Sequence, residues 1–157
     1  MSSISDAIQE KCLSFGDRII KLNDYLLEQA SLPKSDGGSQ KIEKGGRWSK
    51  RQPSALRHQT SRVPVHLQAV AVLCNQLLRA GTSIGANNAE ATSAISKADF
   101  KSKSYIALKE ARESLYWIDL LHRNGYLDDK QHSSIYADCE ELVKVLTHRC
   151  KKLDGVE

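Results

Sequence analysis

Apolar residues recur in this chain at alternating steps of four and three, and that rhythm, repeated in four segments, restricts the fold more than any other feature. Such steps keep side chains on one side of an α-helix. In the first segment Ile8, Cys12, Phe15, Ile19, Leu22 and Leu26 form one stripe, with Ser3 and Asp6 placed to cap its start and Pro33 fitting its end. The second runs from near Pro64, a residue tolerated in a first turn, through Val70, Leu73, Leu77, Gly81, Ile84, Asn88, Ala91 and Ile95. The third opens with Ser96 and Asp99 in capping-box spacing and turns Phe100, Ala107, Ala111, Ser114, Ile118 and Leu121 inward. Asn124 and Gly125, which both accept a left-handed backbone, close it. The fourth starts at Asp128, with Gln131 three residues on, and buries Ile135, Cys139, Leu142, Leu146 and Leu153.

The links between the second, third and fourth segments are short, so neighbouring helices must run antiparallel and pool their stripes. The expected fold is all-α: a single-domain up-down-up-down four-helix bundle over residues 1–157. A chain of 157 residues is long enough to bury a core unaided, and with only two Phe and two Trp that core is left to Leu, Ile, Val and Ala. The longest apolar run, Ala69 to Cys74, is too short to span a bilayer, and no basic start leads into a hydrophobic stretch, so a cytoplasmic protein with no membrane partner is expected. Cys12, Cys74, Cys139 and Cys150 lie far apart without a CxxC pair. Three of them fall on apolar stripes and read as buried thiols, and neither a metal nor another cofactor is implied.

Residues of about 32–63 break the pattern. They are rich in Gly, Ser, Gln, Lys and Arg, nearly devoid of apolar side chains, and read as a flexible basic insertion between helices 1 and 2. Lys34, Lys41, Lys44, Arg47, Lys50, Arg51, Arg57 and Arg62 face only Asp36 and Glu43 there, whereas the whole chain is +4, so the helical remainder is slightly acidic. With Trp48 available to stack on a base, Lys41, Lys44, Arg47, Lys50, Arg51, Arg57 and Arg62 form a candidate nucleic-acid-binding set. The alternative is a solubilising segment with no specific partner.

The residues then carry a resemblance. Leu77-Leu78-Arg79-Ala80-Gly81-Thr82-Ser83-Ile84-Gly85-Ala86-Asn87, followed by Glu90-Ala91, Ser96 to Phe100, Ile106 to Glu113 and Tyr116-Trp117, resembles the four-helix-bundle family that joins ribosomal-RNA intervening-sequence proteins to the accessory variability determinants of diversity-generating retroelements. Asp138-Cys139-Glu140-Glu141-Leu142 is similar as well. The resemblance implies a four-helix protomer, commonly a homopentamer, and for the retroelement branch a basic surface engaging nucleic acid (RNA or its cDNA) and the element's reverse transcriptase. The intervening-sequence branch implies an oligomeric scaffold with no enzyme partner. Two departures stand out: Asn88 replaces a usually apolar inward residue, and the link between the first two helices is some thirty residues longer than the family's.

Within the matched stretch, Gly81 and Gly85 lie four apart on one face and suit a close helix crossing. Arg79 is positioned to reach Glu110 or Glu113, or else nucleic acid. Lys97, Lys101, Lys109 and Arg112 are interspersed with Glu110 and Glu113, which reads as a solvated face, with phosphate contact the weaker alternative. Tyr105, Tyr116 and Trp117 flank the stripe and suit a protomer interface as well as the core. Arg79, Lys97, Lys101, Arg112 and Trp117 thus form a secondary set of interface or nucleic-acid contacts. No carboxylate pair faces a His and no nucleophile sits in an elbow setting, so the expected role is non-enzymatic.

Overall fold

In a computed structural model that describes residues 4–31 and 65–155, the chain forms four helices: α1 (Ile4–Ser31), α2 (Val65–Thr92), α3 (Lys97–Arg123) and α4 (Asp129–Asp154). Each helix packs on its neighbours in chain order, α4 closes back on α1 through the sparsest seam, and the backbones of the diagonal pairs stay apart. The all-α, antiparallel bundle is as expected, and among the described residues there is no strand. No described helix is long and apolar enough to cross a membrane. Ser3, Pro33 and the whole 32–63 insertion lie outside the described residues.

Local chemistry sets the helix ends. The Ser96 side chain accepts from the Asp99 N–H at 3.1 Å, while the Asp99 carboxylate reaches back to the Ile95 N–H at 3.2 Å, one residue before the cap. Asp128 and Gln131 form a full capping box, each side chain bonded to the other's backbone N–H. At the end of α3 the Tyr126 N–H bonds Leu121 O and the Gly125 N–H bonds His122 O, a Schellman closure that needs the left-handed φ of +73° at Gly125. Leu127, buried in the link, pins the turn to the core.

The stripes meet as drawn, with adjustments at their ends. Phe15, Ile19, Val70, Ile84, Ile118, Leu121, Leu142 and Leu146 are fully buried, and all four cysteines are buried, Cys150 included. Leu22, Leu73, Phe100 and Leu153 are only partly buried. Ile95 is a correction: α2 stops at Thr92, and Ile95 projects from the turn 95% exposed. Gly81 and Gly85 let α1 approach closely, since a Cβ on Gly81 would stand 3.1 Å from Ile19 Cγ1 and one on Gly85 3.4 Å from Cys12 Cβ.

Asn88 lies wholly inside, and its amide is satisfied. Its Nδ2 donates to Gln9 Oε1 on α1 at 2.6 Å, and its Oδ1 accepts from Arg149 Nη1 on α4 at 2.7 Å. Arg149 also lies over the Phe100 ring, 5.7 Å from its centroid. One buried amide therefore ties α1, α2 and α4 together at the end of the bundle where α1 starts.

Candidate functional site

At the opposite end, where α1 stops and α2 starts, Lys21 and Lys130 are exposed cations without an ion pair among the described residues. Arg18, Lys21 and Tyr25 come from the second half of α1, and Lys130, Gln131 and Ser134 from the first turns of α4. They line a groove along the α1–α4 seam, floored by Leu22 and Ile135. These positions share a side because Arg18, Lys21, Leu22 and Tyr25 are three, four and seven residues apart, as are Gln131, Ser134 and Ile135 by three and four.

Arg18 is held in place: Nη2 donates to Ser134 Oγ at 2.9 Å, and Nη1 pairs with Asp138 and bonds Ser134 O at 3.3 Å. Lys21 and Lys130 are exposed and make no ion pair among the described residues, and Tyr25 is 44% exposed. On the other flank of α4, against α3, two imidazoles stack with centroids 4.2 Å apart. His122 Nε2 lies 2.9 Å from Asp129 Oδ1, and His132 Nε2 lies 2.8 Å from Asp119 Oδ1. An open groove with two free ammonium groups, a fixed guanidinium and an exposed phenol ring can neutralise phosphates and stack a base.

The thiols offer no counterpart to this chemistry. Burial pushes Cys12 and Cys74 up to about 11 and Cys139 up to about 12, and Cys150 is raised for the same reason. They pack as small hydrophobes. Among the described residues no group of three or more His, Cys, Asp or Glu side chains is placed to hold a metal.

The secondary set does not converge on one surface. Arg79 pairs with Glu113 and lies 3.7 Å from Glu110 Oε2, the intramolecular ion pair that the spacing allowed. Trp117 donates from Nε1 to Glu113 at 3.1 Å and takes the edge of Tyr116 at 4.9 Å. Lys101 pairs with Asp154 at 2.6 Å. Lys97 and Arg112 are exposed, the first at the far end of the bundle and the second midway along α3. Lys41, Lys44, Arg47, Trp48, Lys50, Arg51, Arg57 and Arg62 lie outside the described residues. Sequence reasoning missed Lys21, Tyr25 and Lys130. They flank α1 and α4 stripes that it had located, so the helical register could have placed each on a flank, although not against the other helix.

Comparisons with known proteins bear on the whole chain. A family model described as 23S rRNA-intervening sequence protein matches residues 56–148, more than half of the sequence. The chain is also similar to a solved structure from Bacteroides thetaiotaomicron, a protein of unknown function from the S23 ribosomal protein family. Identity is 33%, the match covers 94% of this chain and 97% of the other, and the TM-score is 0.67. No curated protein matches.

Proposed function

The chain belongs to the 23S rRNA-intervening sequence protein family, and from that premise we propose that it is a non-enzymatic RNA-binding bundle that takes hold of RNA at its α1–α2 end. One observation carries the reading. The unpaired Lys21 and Lys130 line an open groove with Tyr25 at the end from which residues 32–64 depart, and that segment holds eight cations against two acids. The recognition is backbone-directed: ammonium and guanidinium groups meet phosphates, and an aromatic ring stacks on whichever base is presented. Several copies in a homo-oligomer, a pentamer by the resemblance above, raise the effective concentration of later contacts on one RNA.

The stretch from Leu77 to Trp117 resembles the family that includes the retroelement accessory proteins, and this resemblance supports a second partner, a reverse transcriptase acting on the bound RNA. Co-purification with that enzyme tests this partner apart from RNA binding.

RNA binding is tested by fluorescence anisotropy over a range of salt, on a structured RNA and on a single strand. Each phosphate contact adds about 0.7–0.9 to the log–log salt slope. The double variant Lys21→Ser, Lys130→Ser is expected to bind both RNAs more weakly, with a slope flatter by about 1.4–1.8. Replacing the seven insertion cations from Lys41 to Arg62 with Ser flattens it further. Parental affinity and slope in both variants would remove this end of the bundle as the binding surface.

A further inference from the structure

The protomer's own ion pairs leave unpaired charges on the outer faces of α1 and α3. Lys11 pairs with Glu141, Arg18 with Asp138, Arg79 with Glu110 and Glu113, Lys101 with Asp154, Lys103 with Glu90 and Lys144 with Glu140. On the outer face of α1, Glu10, Asp17 and Asp24 are seven apart, exposed, and unpaired among the described residues. Interleaved with them, also seven apart, Leu13 and Ile20 stand 55% and 45% exposed. Together the five follow steps of three and four, an acidic and apolar seam over four turns with the exposed Lys21 at its edge, four residues after Asp17.

The outer face of α3 is its opposite. Lys109, Arg112, Tyr116 and Arg123 follow steps of three, four and seven. The three cations are exposed and unpaired among the described residues, and Tyr116 is 58% exposed. Asp119 on the same stretch is bonded to His132. Glu110 and Glu113, interspersed with these cations in sequence, belong to the flank of α3 that meets Arg79 of α2, so spatially the face is basic.

We infer that these two faces are the two halves of a head-to-tail contact between copies of this chain: the Glu10–Leu13–Asp17–Ile20–Asp24 seam of one protomer docks on the Lys109–Arg112–Tyr116–Arg123 face of the next. Acids meet cations, and Leu13 and Ile20 gain the ring of Tyr116 and the alkyl stems of Lys109 and Arg112 as cover. Each face repels its own kind, which disfavours symmetric α1–α1 or α3–α3 pairing. Because α1 and α3 occupy diagonal corners, the two faces point away from each other and a protomer can use both at once. Repetition of such a contact builds a ring or a filament. The inference rests on the oligomer invoked above and is independent of RNA binding.

Charge reversal tests it. The α1 variant Asp17→Lys, Asp24→Lys and the α3 variant Lys109→Glu, Arg112→Glu should each keep the parent's helical circular dichroism and fall from the oligomer to the monomer mass in light scattering at micromolar concentration. The chain carrying all four substitutions has both faces reversed and should assemble again. A monomeric parent, either two-site variant retaining the parent's mass, or a four-site variant that stays monomeric would overturn the inference. An α3 variant that loses RNA affinity while keeping its mass would assign that face to nucleic acid instead. Weak RNA binding by an intact oligomer would leave the contact standing and remove only the proposed function.

Discussion

Replacing Asn88 probes a buried polar network that spans three helices. Its amide gives one neutral hydrogen bond, to Gln9, and one to a charged group, Arg149, at 2.6 and 2.7 Å. A neutral bond contributes about 1 kcal/mol and one to a charged partner about 2, so Asn88→Ala should cost about 3 kcal/mol. For a chain of this size that is a fall in Tm of roughly 6–12 °C. Asn88→Leu separates the lost bonds from the cavity: it restores volume but leaves the half-buried Arg149 and the Gln9 carbonyl facing carbon, so most of the loss should remain. Removing Arg149 as well should recover part of it, with a coupling of about 2 kcal/mol in the Asn88→Leu, Arg149→Leu cycle. Urea unfolding followed by helical circular dichroism at fixed protein concentration measures the parent, Asn88→Ala and the remaining three chains of the cycle. A loss below about 1 kcal/mol for Asn88→Ala, or additivity within about 0.5 in the cycle, would refute the reasoning.

Other outcomes follow from the same packing. Gly85→Ala should gain about 0.5 kcal/mol from helix propensity, because its Cβ meets Cys12 at ordinary distance, whereas Gly81→Ala should lose about 1 against the fully buried, β-branched Ile19; urea midpoints read the opposite signs. Asp128→Ala removes the α4 cap and should cost about 1 kcal/mol by the same assay. The folded thiols of Cys12, Cys74 and Cys139 hold their protons to about 11, 11 and 12, while in the unfolded chain they ionise from 9.0, so stability is full below pH 9 and falls as pH climbs from there. A Tm that stays flat through that window, or rapid reaction of the native protein with a thiol reagent at neutral pH, would contradict their burial.

Helix positions were legible because they rest on short-range signals. The four-three stripes, the Asp128–Gln131 box and the Asn124–Gly125 stop are each complete within a few residues, and each reappears in the fold. Ile95 was misplaced because its spacing continued the stripe while Ser96 was already ending the turn. What crosses between helices was not legible. Gln9 and Arg149 lie 79 and 61 positions from Asn88, and nothing local marks either as its partner. The groove failed for the same reason, since Lys21 and Lys130 become neighbours only when α4 closes on α1. On α3 the difficulty was angular: acids and bases alternate along the chain but occupy different sides of the helix.

Because α1 ends and α2 begins at the same end of the bundle, the segment between them has only to close a loop. Closure entropy grows with the logarithm of length, at about 0.6 kcal/mol per doubling. Going from a link of about four residues to one covering residues 32–64 is about three doublings, roughly 2 kcal/mol in all. No core contact between the helices has to change for that to happen. A lineage with this bundle can lengthen, shorten or recharge the connection almost independently of the packing beneath it, so new binding specificities can evolve at that end without a matching change in the core.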